Sequence, residues 1–159
     1  MKYALPCSKK LIERGEVSED YIKKLFRIVK NGKELPENSE KIFKVAYSFC
    51  KKIGEKINKD PMNEDVIRRY FLYEHDDVVE KMGYEQNCKV YPGLCLKIEN
   101  GLAKILTPIG FNFYKIDFVS DLKENEYVVV HREFVIERIS KDLAKKLWEI
   151  KTLQSYLSI

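Results

Sequence analysis

The chain has 159 residues, of which 45% are hydrophobic and 12% aromatic, and this composition is typical of a folded globular protein rather than a disordered one. Its 29 basic and 25 acidic residues are interspersed and leave a formal net charge of +4, so the charge does not call for a nucleic-acid or membrane partner. There is no apolar run of about 18 residues and no signal-peptide pattern, so we expect a cytoplasmic protein without a membrane segment.

The N-terminal half shows the three- and four-residue spacing of apolar side chains that is typical of amphipathic helices. A first helical stretch begins at Ser8 and ends at Asn31-Gly32, a good stop signal. A second helix begins near Pro36–Ser39 and ends near Gly54 or Asn58. The pattern therefore predicts two helices before residue 60.

A third helix is predicted from Asp60-Pro61, with Asp60 as N-cap, to Gly83. It carries His75 within the acidic run Glu74–Asp77. Carboxylates beside a histidine can orient it as a metal ligand or a base, but such a run is more often a solvated acidic face. The apolar stripe of this helix consists of Val66, Ile67, Tyr70, Phe71, Val78 and Met82.

The C-terminal half reads as short strands separated by turns. Cys88 lies on the first strand, and the later ones are predicted at Leu102–Leu106, Phe113–Val119, Tyr127–Val130 and Phe134–Ile139. One continuous bent strand is the alternative for the last two. Three consecutive valines, 128–130, predict a strand covered on both sides. Ser140 is a predicted N-cap for a final helix.

Together these elements predict an α+β fold. An N-terminal three-helix region, residues 1–83, packs on a small OB-like β-barrel with a C-terminal helix, residues 88–159. The connection at 83–87 is short. The four cysteines, Cys7, Cys50, Cys88 and Cys95, have no zinc-ribbon or Cys-x-x-Cys spacing, so we expect free thiols.

The second half also resembles a known family. Its segments follow one another in the order and spacing of the HypC/HupF hydrogenase-maturation chaperones over roughly residues 88–150. The segments that carry the resemblance are Cys-x-x-x-Pro-Gly at 88–93, the turn Ile98–Gly101, Asp117–Leu122, Asn125–His131 and Phe134–Ile139.

This resemblance implies a non-enzymatic accessory or chaperone-like protein that carries an iron fragment transiently. Cys88 would be the metal or cargo ligand with His131 as its helper, which requires the Cys88 sulfur to be reachable from solvent. The partner would be a HypD-like protein or the precursor of a hydrogenase large subunit, and Tyr91, Pro92 and Gly93 are predicted to contact it.

Each of these residues can also have a purely structural role. Cys88 can be a buried strand cysteine, and His131 a core histidine bonded to a carbonyl. A metal site that adds Cys95 to Cys88 and His131 needs a bend at Pro92-Gly93, because the odd spacing would put the two cysteines on opposite strand faces.

A second functional class is a diverged OB-like module that binds RNA or a small ligand without metal cargo. Aromatic side chains could stack bases on a barrel face, although no basic stripe accompanies them in the sequence, so a nucleic-acid partner is not expected. A metal enzyme is the least favoured class because no acid–base constellation accompanies the ligands. The aromatic residues concerned are Tyr91, Phe111, Phe113, Tyr114 and Phe118.

Overall fold

The computed structural model describes residues 1–83 and 86–157. The chain divides into two compact units, Met1–Lys89 and Val90–Ile159. The first contains helices, and the second contains a closed five-stranded barrel followed by a C-terminal helix. The predicted α+β class is therefore confirmed.

The boundary between the units lies between Lys89 and Val90. Of the predicted connection at 83–87, residues 84–85 lie outside the described part of the chain. Cys88 belongs to a short 3-10 turn, Gln86–Cys88, that precedes the first strand. Its predicted position on that strand is wrong, and it belongs to the helical unit.

The helical unit has more breaks than the periodicity predicts. Its first predicted helix is divided, because Gly15 adopts a positive φ of 69° that only glycine tolerates without strain. Ser18 then starts the next helix by accepting a hydrogen bond from the Tyr21 amide at 3.2 Å. The α-helices of this unit are α1 (Ser8–Glu13), α2 (Glu19–Lys30), α3 (Lys44–Ile57), α4 (Glu64–Arg69) and α5 (His75–Lys81).

The cap predicted at Asp60 is wrong. The Asp60 side chain accepts from the Met62 amide at 2.7 Å and closes a turn. Asn63 caps α4 instead, with its side chain accepting from the Asp65 amide at 3.0 Å. The helix therefore begins three residues later than its proline suggests.

A π-helical segment, Tyr70–Glu74, joins α4 to α5 without a break. A π turn holds more residues than an α turn, so the buried positions beyond it move later by about one residue. The predicted stripe fails there: Val79 is buried in place of Val78, and Met82 is 44% exposed. The buried residues of this helix are Val66, Tyr70, Phe71, Leu72, His75, Asp76 and Val79.

The barrel follows the order β1-β2-β3-β5-β4, and β4 closes it against β1. Neighbouring strands are antiparallel except β3 and β5, which run parallel at Lys115 and Phe134. This arrangement confirms the OB-like barrel. The strands are β1 (Val90–Glu99), β2 (Leu102–Thr107), β3 (Gly110–Lys115), β4 (Tyr127–His131) and β5 (Phe134–Arg138).

Two strand predictions need correction. The stretch from Tyr127 to Ile139 is a hairpin and not one bent strand, because Arg132 has a positive φ of 53° and reverses the chain. Strand β3 begins at Gly110 rather than Phe113. Its predicted end at Val119 is a turn, in which the Val119 amide donates to the Ile116 carbonyl at 2.9 Å.

Valine and aromatic side chains fill the barrel interior. Val128, Val129 and Val130 are each at most 1% exposed, which confirms a strand covered on both faces. Gly93 of β1 lies so close to β2 that a Cβ atom there would overlap the Ile105 side chain. The interior cluster comprises Tyr91, Cys95, Ala103, Ile105, Tyr114, Val119, Leu122, Val128, Val130 and Val135.

The final helix, α6 (Lys141–Leu157), packs on β1 and β4. The Ser140 hydroxyl accepts from the Leu143 amide at 3.2 Å, which confirms the predicted cap. Among the residues that the structure describes, no helix has a long enough apolar stretch to cross a membrane.

Candidate functional site

His75 is a buried residue at the start of α5, directly after the π segment. It is 6% exposed, and Asp76 beside it is 3% exposed, so the interpretation of this run as a solvated acidic face is wrong for both. The imidazole meets the edge of the Tyr70 ring at 5.7 Å and lies 5.1 Å from the Phe71 ring. Two aromatic rings of the same helix therefore fix the plane of the histidine.

A buried carboxylate also orients the imidazole. Asp76 Oδ1 lies 3.3 Å from His75 Nδ1. In the tautomer that carries its ring proton on Nδ1, His75 donates to this carboxylate, and Nε2 is the nitrogen that can bind a metal ion.

Cys7 lies close to this histidine, although the two are far apart in sequence. It ends the 3-10 turn Leu5–Cys7 at the start of α1 and is partly buried. Its Sγ atom and a ring nitrogen of His75 lie within 4.8 Å of each other. Sulfur and nitrogen ligands of one tetrahedral zinc ion are about 3.6 Å apart, so a small adjustment would bring both atoms onto one ion.

The chemistry of this pair suits a borderline-soft metal ion. Thiolate and imidazole bind zinc, ferrous iron and copper better than they bind magnesium or calcium. A nearby apolar cavity, lined by Phe43, Cys50 and Phe71 among others, has a volume of about 30 Å³. That volume is far below the several hundred Å³ of small-molecule sites, so this cavity offers no room for an organic substrate.

Cys50 of α3 differs from Cys7. It is 4% exposed, and burial raises the pKa of its thiol to about 11. A buried, protonated thiol is a poor ligand and nucleophile. Cys50 is therefore part of the packed interior of the helical unit and provides an internal control for Cys7.

Cys88 is buried rather than reachable, with 2% exposure. The next residue, Lys89, is 8% exposed. It forms an ion pair with Glu80 of α5, which holds the chain at residues 88–89 against that helix. The expectation of a solvent-exposed sulfur is therefore wrong. The role of Cys88 as a ligand, which the resemblance implies, stays a prediction.

His131 and the predicted partner-contact residues lie in the barrel wall. His131 ends β4, opposite Val90 and Phe134, and is fully buried. Tyr91, Pro92 and Gly93 are buried in β1 and pair with β4. Their predicted functions stay predictions, and their burial gives them a role in the packing of the barrel.

Cys95 points into the barrel interior and is fully buried. Its thiol lies 3.9 Å from the Lys97 carbonyl, and burial raises its pKa. Within the described part of the chain, Cys95 belongs to no group of three metal-capable side chains. The metal site that combines Cys95 with Cys88 and His131 stays a prediction.

The predicted aromatic set divides between the interior and the surface of the barrel. Tyr91, Tyr114 and Phe118 contribute to its core. Phe111 and Phe113 of β3 are 63% and 52% exposed. These two rings lie on the outer side of the sheet and form a second candidate site.

No protein-family model matches the chain, and no curated protein is significantly similar to it in sequence.

Proposed function

We propose that this protein is a non-enzymatic accessory factor that binds a metal ion through Cys7 and His75 and passes it to a protein partner. The observation that carries the proposal is the approach of the Cys7 sulfur to within 4.8 Å of a His75 ring nitrogen. The Asp76 carboxylate at 3.3 Å from His75 Nδ1 supports it. The Cys7 thiolate is a soft ligand, the His75 imidazole is a second ligand, and the Asp76 carboxylate orients the imidazole, as in known metal sites.

Cys7 and His75 supply one thiolate and one imidazole to the ion. Structural zinc sites are usually closed by four protein ligands, whereas sites that act on another molecule keep a position open. Delivery of the ion requires such an open position, in which the recipient would place a donor of its own.

The resemblance of residues 88–150 to the HypC/HupF chaperones agrees with this role. It implies iron as the cargo, Cys88 and His131 as ligands, and a HypD-like protein or a hydrogenase precursor as partner. The pair proposed here supplies the same donor types from different residues. The two assignments can be separated by mutation.

Metal binding by the purified, chelator-treated protein tests the proposal. Zinc is expected to bind stoichiometrically, and cobalt(II) should give a near-ultraviolet thiolate-to-metal charge-transfer band. Cys7→Ser should abolish that band, and His75→Gln should weaken zinc binding strongly. Asp76→Asn leaves both ligands in place and should weaken binding about 10- to 100-fold, the usual effect of losing an orienting carboxylate.

Cys50→Ala is the matched control, because it removes a buried thiol of the same unit and should leave the cobalt band intact. Circular dichroism establishes that each variant is folded. If Cys7→Ser and His75→Gln bind both metals as the wild type does, the proposed pair is wrong. Loss of binding in Cys88→Ala, with binding kept in Cys7→Ser and His75→Gln, would assign the cargo to the residues that the resemblance implies.

A further inference from the structure

The outer side of strands β1, β2 and β3 combines aromatic, aliphatic and basic side chains. We call it the outer aromatic surface and define it by Phe111 and Phe113 with Lys97, Lys104 and Lys115. Phe111 and Phe113 are 63% and 52% exposed. Large exposed apolar groups that lie together on a surface commonly mark a binding site.

The strand register brings these residues together. Lys97 of β1 pairs with Lys104 of β2, which pairs in turn with Phe113 of β3. In the neighbouring rows Leu106 lies opposite Phe111, and Leu102 lies opposite Lys115. Phe111, Phe113 and Lys115 alternate along β3 and so project from the same face.

The basic side chains of this surface differ in their partners. Lys97 forms an ion pair with Glu99 at 2.5 Å, and Lys115 one with Glu133 at 2.7 Å. Lys104 has no carboxylate partner among the described residues. Its ammonium lies over the Phe111 ring, 4.2 Å from the centroid, so this surface presents an aromatic face beside an uncompensated positive charge.

We propose that the outer aromatic surface binds single-stranded nucleic acid. Phe111 and Phe113 are two residues apart, so their Cα atoms are about 7 Å apart along the strand, which suits one base stacked on each ring. The Lys104 ammonium beside the Phe111 ring would neutralise a phosphate between the two nucleotides. Stacking on exposed rings with lysines along the backbone path is how single strands bind to barrels without sequence selection.

The charge of the surface favours this ligand over a partner peptide. Lys104, which has no carboxylate partner among the described residues, lies over the Phe111 ring. A positive charge beside exposed rings matches a polyanion with flat, apolar bases. The experiment must therefore distinguish binding of nucleic acid from a role of this surface in binding a protein.

The test uses the full chain and a fluorescently labelled oligouridylate of about ten nucleotides, with fluorescence anisotropy at low salt. We expect binding that falls as salt rises, with a slope of log affinity against log salt of about −0.7 to −2 for one to three phosphate contacts. A duplex of the same length should bind more weakly, because its bases are not available for stacking. Phe111→Ala and Phe113→Ala should each weaken binding about tenfold.

Lys104→Ala should weaken binding and reduce the salt slope by roughly 0.7. Controls elsewhere on the chain are Val45→Ala, which removes another exposed apolar side chain, and Lys24→Ala, which removes an exposed charge; neither should change the affinity. Equal binding of duplex and single strand, or an affinity that both phenylalanine variants retain, would overturn the proposal. Failure of the wild type to bind at low salt would also overturn it.

Discussion

Gly93 sets the distance between β1 and β2 inside the barrel wall. A Cβ atom at this position would overlap Ile105 Cγ2 and lie 3.1 Å from the Leu106 carbonyl oxygen, and such contacts in a packed sheet force the backbone apart. The glycine of the Pro92-Gly93 pair is thus required by close packing, independently of any partner contact.

We therefore expect Gly93→Ala to lower the free energy of unfolding by about 1–3 kcal/mol, as measured by urea denaturation. The cost should fall when Ile105→Ala removes the opposing methyl group, and it should persist with Ile105→Val, which keeps a Cγ2 atom. Equal costs in the three backgrounds would show that the overlap with Ile105 is not the cause.

The contrast between two thiols of the helical unit gives a further prediction. Since burial raises the pKa of Cys50 to about 11, its thiol stays protonated near neutral pH and should resist iodoacetamide in the folded protein. Unfolding in urea should expose it to rapid alkylation, and peptide mass spectrometry measures the extent. Rapid modification of Cys50 in the native state would contradict the burial seen here.

At the scale of single elements, Arg138 fastens the end of β5 to the connection that precedes β4. Its guanidinium donates to Glu126 Oε2 at 2.8 Å and to the Asp121 carbonyl at 2.6 Å, and it lies 3.0 Å from Asp121 Oδ1. These contacts hold the pKa of both carboxyls below their ordinary values of 4.5 and 3.8. One arginine therefore ties a long connection to the barrel.

A carboxyl with a depressed pKa stabilises the fold above its unfolded-state pKa, and that stabilisation is lost as the pH falls through the folded-state pKa. The Tm of Arg138→Met should thus lie below that of the wild type at neutral pH, and the difference should shrink toward about pH 3. Thermal unfolding monitored by circular dichroism at low salt measures it. Lys24→Met serves as the control, and a constant difference across this pH range would exclude the arginine–carboxylate contacts as its source.

The π segment shows where sequence periodicity stops being informative. An apolar stripe of constant period extrapolates from Tyr70 and Phe71 to Val78 and Met82, whereas the wider turn moves burial to His75, Asp76 and Val79. The local sequence contains no pattern that predicts the additional residue in this helical turn. The burial of His75, and with it the candidate metal pair, was therefore not predictable from the pattern, and Cys7 approaches it only through the fold of the helical unit.

Across the whole molecule, the prediction succeeded where turns and alternation define short elements. The asparagine–glycine turn at 100–101 and the Ser140 cap fixed the ends of β1, β2 and α6, and the fold class followed from these elements. The parallel pairing of β3 with β5 and the grouping of lysines beside Phe113 depend on strand register. Local sequence does not determine which strands pair over such long separations. The outer aromatic surface could therefore not be predicted from the sequence.

The ring of hydrogen-bonded strands has a consequence for how this protein can evolve and associate. Strands that are paired on both sides have no backbone groups left with which to recruit another chain by strand exchange. Because β3 meets β5 at a single residue pair, edge pairing stays open at the seam between these two strands. Elsewhere on the barrel, new contacts arise through substitutions of exterior side chains, which leave the backbone network untouched. Specificity in this unit can therefore change residue by residue while the scaffold stays the same.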